Sequence, residues 1–72
     1  MADNIYRKTE IVGTSEKGVD DAISGAIARA AQTLRQIGWF EVKEIRGHVE
    51  NGAIQHYQVT ITVGFALEDT KS

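Results

Sequence analysis

The sequence predicts an α+β domain in which one helix packs on a three-stranded antiparallel sheet. Apolar residues recur at helical spacing in the first half, and an Asn-Gly pair separates two β-favouring runs in the second half. The chain also lacks proline, cysteine and low-complexity segments that would divide it. We therefore treat residues 1–72 as a single domain.

The first half predicts a strand followed by a long helix. Residues 4–13 (NIYRKTEIVG) favour a strand. Candidate N-caps and acidic residues that suit the positive end of a helix dipole follow: Thr14, Ser15, Glu16, Asp20 and Asp21. The helical apolar stripe comprises Val19, Ile23, Ala26, Ile27, Ala30, Leu34 and Ile37. With a stop signal at Arg35 and Gly38, it predicts a helix of about 20 residues, roughly 30 Å long.

The second half predicts a β-hairpin. Asn51-Gly52 suits a two-residue turn because both positions need positive φ. If this turn alone sets the register, Phe40 faces Val63, Val42 faces Ile61, and Trp39 faces Gly64. A β-α-β crossover then places the most apolar strand, the third, in the centre, giving the strand order 1-3-2 with every neighbouring pair antiparallel.

This register divides the side chains between two faces. The apolar face, expected under the helix, carries Phe40, Val42, Val59, Ile61, Val63, Phe65 and Leu67. The opposite face carries Trp39, Ile45, Gly47, Val49, Ile54, His56, Gln58, Thr60, Thr62 and Gly64. A third strand of about 15 residues extends roughly 50 Å, farther than the helix. Beyond the helix we expect its face to continue with Glu44, Arg46, Gln55 and Tyr57.

These dimensions predict self-association. A domain of this length buries only about 60% of its unfolded surface, and no disulfide compensates in this chain. The small residues on one helix flank would allow another element to approach closely, or they form a solvated face: Ala22, Gly25, Ala28 and Ala31.

Composition argues against two classes of partner. The formal net charge is −2, with 8 basic and 10 acidic residues, so there is no basic footprint for nucleic acid. The apolar runs are too short to span a bilayer. A polar N-terminus and the lack of cysteine predict a soluble, cytoplasmic protein.

Trp39 and Gln58 are the strongest candidate ligand-binding residues. Trp39 is either an aromatic plug in a subunit interface or a stacking platform for a planar ligand. Gln58 offers the donors and acceptor needed to read an amide or imide edge, or it satisfies solvent or a neighbour. In the expected register Gln58 faces Ile45, roughly 20 Å along the strand from Trp39. One small ring system would therefore contact both only if they came from different subunits.

Other polar residues support weaker hypotheses. His48 and His56 are expected on opposite faces, as strand-end polar residues rather than metal ligands. Glu41 and Glu44 are also expected on opposite faces, so they form no acid/base dyad. The VGTS segment, residues 12–15, either caps the helix or holds a phosphate. Arg46 either neutralises a ligand phosphate or makes a solvated or intersubunit ion pair.

Three segments together resemble the dodecin family. They are EIVGTS at 10–15, GAIARAAQTLRQIGWFEVKEIRGH at 25–48 and YQVTITVGFALED at 57–69, in the family's order and spacing. The resemblance spans about Tyr6 to Asp69 and looks like that of a bacterial member. It implies β-α-β-β subunits in a hollow homododecamer, which binds flavins in pairs and is not an enzyme.

The resemblance also implies roles for individual residues. Trp39 takes the position of the family's stacking tryptophan, Gln58 that of its ring-binding glutamine, and Arg46 that of a basic residue suited to phosphate contact. FMN is the implied cofactor, riboflavin the alternative flavin, and coenzyme A a further ligand of some relatives. Some bacterial relatives carry another arginine where this chain has Ala66, which bears on phosphate anchoring.

The leading hypothesis is a non-enzymatic flavin store that protects or quenches FMN. The alternative is a structural shell whose Trp39 face makes only subunit contacts or binds another planar molecule. A flavin-dependent enzyme is a third hypothesis, for which we identify no substrate channel or proton donor.

Overall fold

The computed structural model describes residues 5–67 and has four elements: β1 (Tyr6–Ser15), α1 (Val19–Ala30), β2 (Ile37–Glu50) and β3 (Ala53–Ala66). The strands form one antiparallel sheet in the order β1-β3-β2. The predicted fold class and strand order are therefore confirmed. Asn4, part of the predicted first strand, lies outside the described residues.

The turn into the helix is organised by Ser15, although not as the predicted N-cap. Its Oγ accepts hydrogen bonds from the backbone N–H groups of Lys17 (2.9 Å) and Gly18 (3.3 Å), and it donates to the Asp21 carboxylate (2.7 Å). The N-cap is Gly18, and it makes no side-chain cap bond. The prediction of Thr14 or Ser15 at the cap is wrong because β1 continues through Ser15.

The helix is shorter than predicted. It has 12 residues and ends at Ala30, so it is about 18 Å long. The Ala30 carbonyl accepts bonds from the backbone N–H groups of Thr33 (3.0 Å) and Leu34 (2.8 Å) and from the Thr33 hydroxyl (3.4 Å). Gln36 then adopts a positive φ of 62° and leads the chain into β2. The apolar spacing continues past Ala30 because Leu34 and Ile37 still pack against the core from outside the helix.

Close contact between β1 and the helix depends on Gly13. A Cβ at this position would lie 2.9 Å from the Ala26 Cβ and would overlap the Ala22 carbonyl. Ala22 itself is only 1% exposed and belongs to the core. Of the two predictions for this helix flank, close approach by another element therefore holds at Ala22, and a solvated face does not.

The core lies between the helix and the middle of β3. Val59, Ile61 and Val63 are at most 1% exposed. The helix packs mainly on β1 and β3, so the helix-side residues of β2 stay open: Phe40 is 48% exposed and Val42 39%. The prediction that the helix covers these two residues is wrong, and Leu67 is also exposed.

The hairpin forms at the predicted turn, with φ values of 54° at Asn51 and 77° at Gly52. The predicted register is confirmed near Trp39, which faces Gly64, and holds next to the turn, where Glu50 faces Ala53. Two compensating irregularities lie between these points, at Lys43 in β2 and at Gln55 in β3. Each inserts one residue, as a β-bulge does.

The two bulges reverse the faces of residues 44–49 in β2 and of Ile54 in β3 relative to the prediction. Glu44 now faces Thr60, Arg46 faces Gln58, and His48 faces His56. These side chains therefore share the face of Trp39, because facing residues in a sheet point to the same side. The same pairing moves four residues that were predicted on the face of Trp39 to the helix side: Ile45, Gly47, Val49 and Ile54.

Candidate functional site

The candidate site is the sheet face opposite the helix, which we call the outer face. It carries the side chains of β1, β3 and β2 that the pairing places together: Lys8, Glu10, Val12, Thr14, His56, Gln58, Thr60, Thr62, Gly64, Trp39, Glu41, Glu44, Arg46 and His48. All three predicted site residues, Trp39, Gln58 and Arg46, lie on it. Arg46 was expected on the other face, and the bulge at Lys43 corrects that assignment.

The indole of Trp39 lies directly against Gly64. A Cβ on Gly64 would lie 2.6 Å from the indole Nε1 and closer still to two ring carbons. Gly64 is buried, whereas 39% of Trp39 remains exposed. The indole itself occupies the space that a side chain on Gly64 would take. The accessible part of Trp39 therefore lies on the side away from Gly64.

Gln58 and Arg46 form the second part of the outer face. They are directly paired across β3 and β2, and the guanidinium of Arg46 is 2.8 Å from the Glu44 carboxylate. The Arg46 and Glu44 side chains are 60% and 51% exposed. This ion pair is therefore well solvated, and exposed pairs of this kind contribute only about 0–1 kcal/mol.

A salt bridge crosses the sheet between these two parts. The Lys43 Nζ is 3.4 Å from the Glu10 carboxylate, and Glu10 belongs to the strand on the far side of β3. Thr62, which pairs with Glu10, is only 5% exposed. Sequence reasoning did not predict this bridge because it assigned no register to β1, which is what places Glu10 beside Thr62.

The structure does not bring Trp39 close to Gln58 within one chain. Trp39 pairs with Gly64, six residues along β3 from Gln58, which corresponds to roughly 20 Å. The correction of the register changes the neighbour of Gln58 from Ile45 to Arg46 but leaves this separation intact. A small planar ligand on one indole therefore cannot also contact the glutamine of the same chain.

Two further expectations about polar residues are corrected by the register. Glu41 and Glu44 both lie on the outer face, with Glu44 paired to Arg46. His48 and His56 face one another and their rings stack, with centroids 5.7 Å apart. Across residues 5–67, no group of three or more His, Cys, Asp or Glu side chains is placed to hold a metal ion.

Residues 12–15 are explained by packing and turn formation. Gly13 allows the helix to pack closely against β1, and the Ser15 hydroxyl accepts the hydrogen bonds that stabilise the following turn. Both predicted uses of the segment, helix capping and phosphate binding, assumed a helix beginning directly after it. The helix begins only at Val19.

The chain is a small β-α-β-β protein with an aromatic and polar outer face, and comparison with known proteins identifies its class. The Dodecin family profile matches residues 5–68. A curated dodecin from Thermus thermophilus is 54% identical over 66 residues, which cover 92% of this chain and 96% of that protein. The chain therefore belongs to the dodecin family, whose members are oligomeric small-ligand-binding proteins.

Solved dodecin structures have the same fold. The crystal structure of an arginine-to-alanine variant of T. thermophilus dodecin matches with a TM-score of 0.89 at 54% identity, covering 94% of this chain and 100% of that one. Dodecin from Streptomyces coelicolor also matches with a TM-score of 0.89, at 50% identity, covering 97% and 100% of the two chains. No helix within residues 5–67 is long and apolar enough to cross a membrane.

Proposed function

We propose that this protein is a cytoplasmic, non-enzymatic flavin-binding protein that stores FMN, or riboflavin, between its subunits. The observation that carries the proposal is the indole of Trp39, which lies on the outer face with 39% of its surface open. A flat aromatic ligand stacked there would bury the rest of the ring. Close contact with an indole would also quench the excited flavin and so protect it.

Self-assembly is the first requirement of this proposal. The radius of gyration is 15.2 Å, whereas a compact domain of this length would have about 11 Å. Large apolar side chains are left open: Phe40, Ile45, Val49 and Ile54 are between 48% and 62% exposed. Identical copies that covered these residues would supply the burial that one chain lacks, and we propose the family's hollow dodecamer as that assembly.

Assembly would also allow one ligand to contact Trp39 and Gln58 at the same time. Because the two lie roughly 20 Å apart along one chain, the stacking residue and the edge-binding residue would come from different subunits. Two indoles related by a twofold axis would then enclose two flavin rings. The backbone of Gly64 supports each indole from behind, so the ring is pre-oriented before the ligand binds.

Gln58 and Arg46 suit the polar parts of the ligand. The amide of Gln58 has the two donors and one acceptor that match the imide edge of a flavin ring. Arg46, beside it across the sheet, is the candidate contact for the FMN phosphate. Its ion pair with Glu44 is exposed, so redirecting the guanidinium would cost at most about 1 kcal/mol.

An FMN titration followed by flavin and tryptophan fluorescence tests the stacking role. Trp39→Ala should weaken binding by about 5- to 150-fold, because stacking on an aromatic side chain contributes about 1–3 kcal/mol per base in comparable sites. Trp39→Phe is the matched control, which keeps a ring and should retain most of the affinity. Equal FMN affinity in wild type and Trp39→Ala would rule out stacking.

Comparing ligands separates the roles of the polar residues. Arg46→Ala should weaken FMN binding while leaving riboflavin binding nearly unchanged, and Gln58→Ala should weaken both. An assembly that binds neither FMN nor riboflavin would favour the structural-shell alternative. A parallel titration with coenzyme A tests whether the protein binds that ligand. Steady-state turnover of FMN with a nicotinamide donor would contradict the non-enzymatic role.

A further inference from the structure

Two imidazole rings face each other across the hairpin on the outer face. His48 and His56 are direct partners in the pairing of β2 with β3. Their ring centroids are 5.7 Å apart and the ring planes differ by 21°. They are the only two histidines of the chain, so its entire imidazole content lies at one place.

A bulge creates this arrangement. Counting back from the Asn51-Gly52 turn without a bulge, Gln55 would face His48, and the two histidines would point to opposite sides of the sheet. The extra residue at Gln55 shifts the pairing by one position, so that His48 meets His56. The second bulge, at Lys43, restores the original register near Trp39. The imidazoles therefore lie inside a short segment whose faces are set by these two irregularities.

Two imidazoles in this arrangement can chelate one metal ion. Directly opposed residues have Cβ atoms about 4.5–5.5 Å apart, and His48 is exposed whereas His56 is half-buried. Rotation of the two rings can therefore turn one nitrogen of each toward a shared ion. The His48 side chain is 55% exposed, and its Nε2 is 3.9 Å from the Glu50 carboxylate. That oxygen would supply a third donor or orient the imidazole by hydrogen bonding.

We propose that His48 and His56 bind one divalent transition-metal ion per chain, of the class that prefers imidazole nitrogen. Cu²⁺ should bind most tightly, with Ni²⁺ and Zn²⁺ weaker. Water, or the Glu50 carboxylate once it moves toward the ion, would complete the coordination, since residues 5–67 hold no preformed group of three or more such ligands. Ca²⁺ and Mg²⁺ should not compete, because they select oxygen ligands.

Such an ion would join β2 to β3 near the turn of the hairpin. His56 is two residues along β3 from Gln58, and His48 is two residues along β2 from Arg46, which corresponds to about 7 Å in each strand. The ion would therefore lie next to the polar half of the outer face. The proposal does not depend on flavin binding, because it rests on the histidine pair alone.

Metal titration of the full-length protein without added flavin tests this proposal. We expect one Zn²⁺ or Cu²⁺ per chain by calorimetry, and a Cu²⁺ electron paramagnetic resonance spectrum with hyperfine coupling to two equatorial nitrogens. His48→Gln and His56→Gln should each weaken binding by roughly 100-fold, because one imidazole loses the effective concentration that the other provides. Glu50→Gln should have a smaller effect.

The controls separate chelation from binding by surface carboxylates. If the single variants bind Zn²⁺ as well as wild type does, or if Ca²⁺ displaces it, the proposal is wrong. A Cu²⁺ spectrum of the wild type with one nitrogen or none would also overturn it, without reference to any variant. Melting curves in EDTA should be nearly the same for wild type and His48→Gln, so a lost thermal shift with Zn²⁺ reports the metal rather than the fold.

Discussion

The central strand β3 runs through two different environments, one beneath the helix and one at the tip of the hairpin. Ile61 and Val63, beneath the helix, are completely buried, whereas Ile54, near the tip, is 57% exposed. The tip of β3 is more polar than the covered segment, yet Ile54 is as apolar as Ile61. Their difference in exposure comes from the helix, which ends after 12 residues and packs mainly on β1 and β3.

This contrast shows how the chain divides its tasks. The covered region has the features of a self-contained core, with Gly13 allowing the helix to approach and Ala22 filling the contact. The open region has apolar residues on its helix side and the Gln58–Arg46 pair on its outer face. We infer that the first region stabilises the subunit, while the second is completed by other copies.

The largest effect on stability is expected when one isoleucine is truncated in each region and the two variants are compared. Ile61→Ala should destabilise the protein by about 2–5 kcal/mol, because it leaves a cavity in a packed core. Ile54→Ala removes an exposed side chain of the isolated subunit, so it should change unfolding much less while weakening assembly. Chemical denaturation measures the first effect, and analytical ultracentrifugation over a dilution series measures the second.

The two outcomes can contradict the division independently. If Ile61→Ala unfolds at the same denaturant concentration as wild type, the assignment of the core is wrong. If Ile54→Ala assembles with undiminished strength at every concentration, the open hairpin does not contribute to subunit contacts.

A smaller effect on stability is expected from adding one methyl group at a glycine, either in β1 beneath the helix or on the open side of the helix. Gly13→Ala should cost about 1–3 kcal/mol, because its Cβ meets the Ala22 carbonyl and must push the helix away. Gly25→Ala is the matched control. Its Cβ meets nothing within 4 Å, and the change should stabilise the helix by roughly 0.5–1 kcal/mol.

If β1 and the helix are in close contact at Gly13, the melting temperature should fall in Gly13→Ala and rise in Gly25→Ala. A Gly13→Ala variant as stable as wild type would show that the strand and the helix are not in tight contact. A destabilised Gly25→Ala variant would indicate that another subunit packs on that helix surface.

Much of the fold follows from local sequence signals. Asn51-Gly52 locates the hairpin because few other residue pairs tolerate two positive φ values, and the alternation around it identifies Val59, Ile61 and Val63 as core. The crossover rule then supplies the strand order. The outward position of Trp39 follows from the same alternation, because the bulges at Gln55 and Lys43 cancel before the pairing reaches Trp39 and Gly64.

The remaining features depend on contacts that a linear pattern does not contain. Nothing in the residue types at Lys43 or Gln55 marks a bulge, yet these two positions decide the faces of Arg46, His48 and Ile45. Likewise, the apolar spacing extends past Ala30 even though the helix does not, since Leu34 and Ile37 reach the core from the following turn and strand. The spacing of apolar residues indicates which side chains are buried. It does not indicate whether a helix, a turn or a strand brings them to the core.

The central claim is that flavin binds where Trp39 of one chain meets the Gln58 region of another. Mixing subunits tests it most directly: Trp39→Ala and Gln58→Ala chains are unfolded together, refolded as mixed assemblies, and titrated with FMN beside the two separate variants. The account predicts that mixed assemblies regain part of the tight binding that both parents lack. Binding no stronger than the average of the two parents would contradict it.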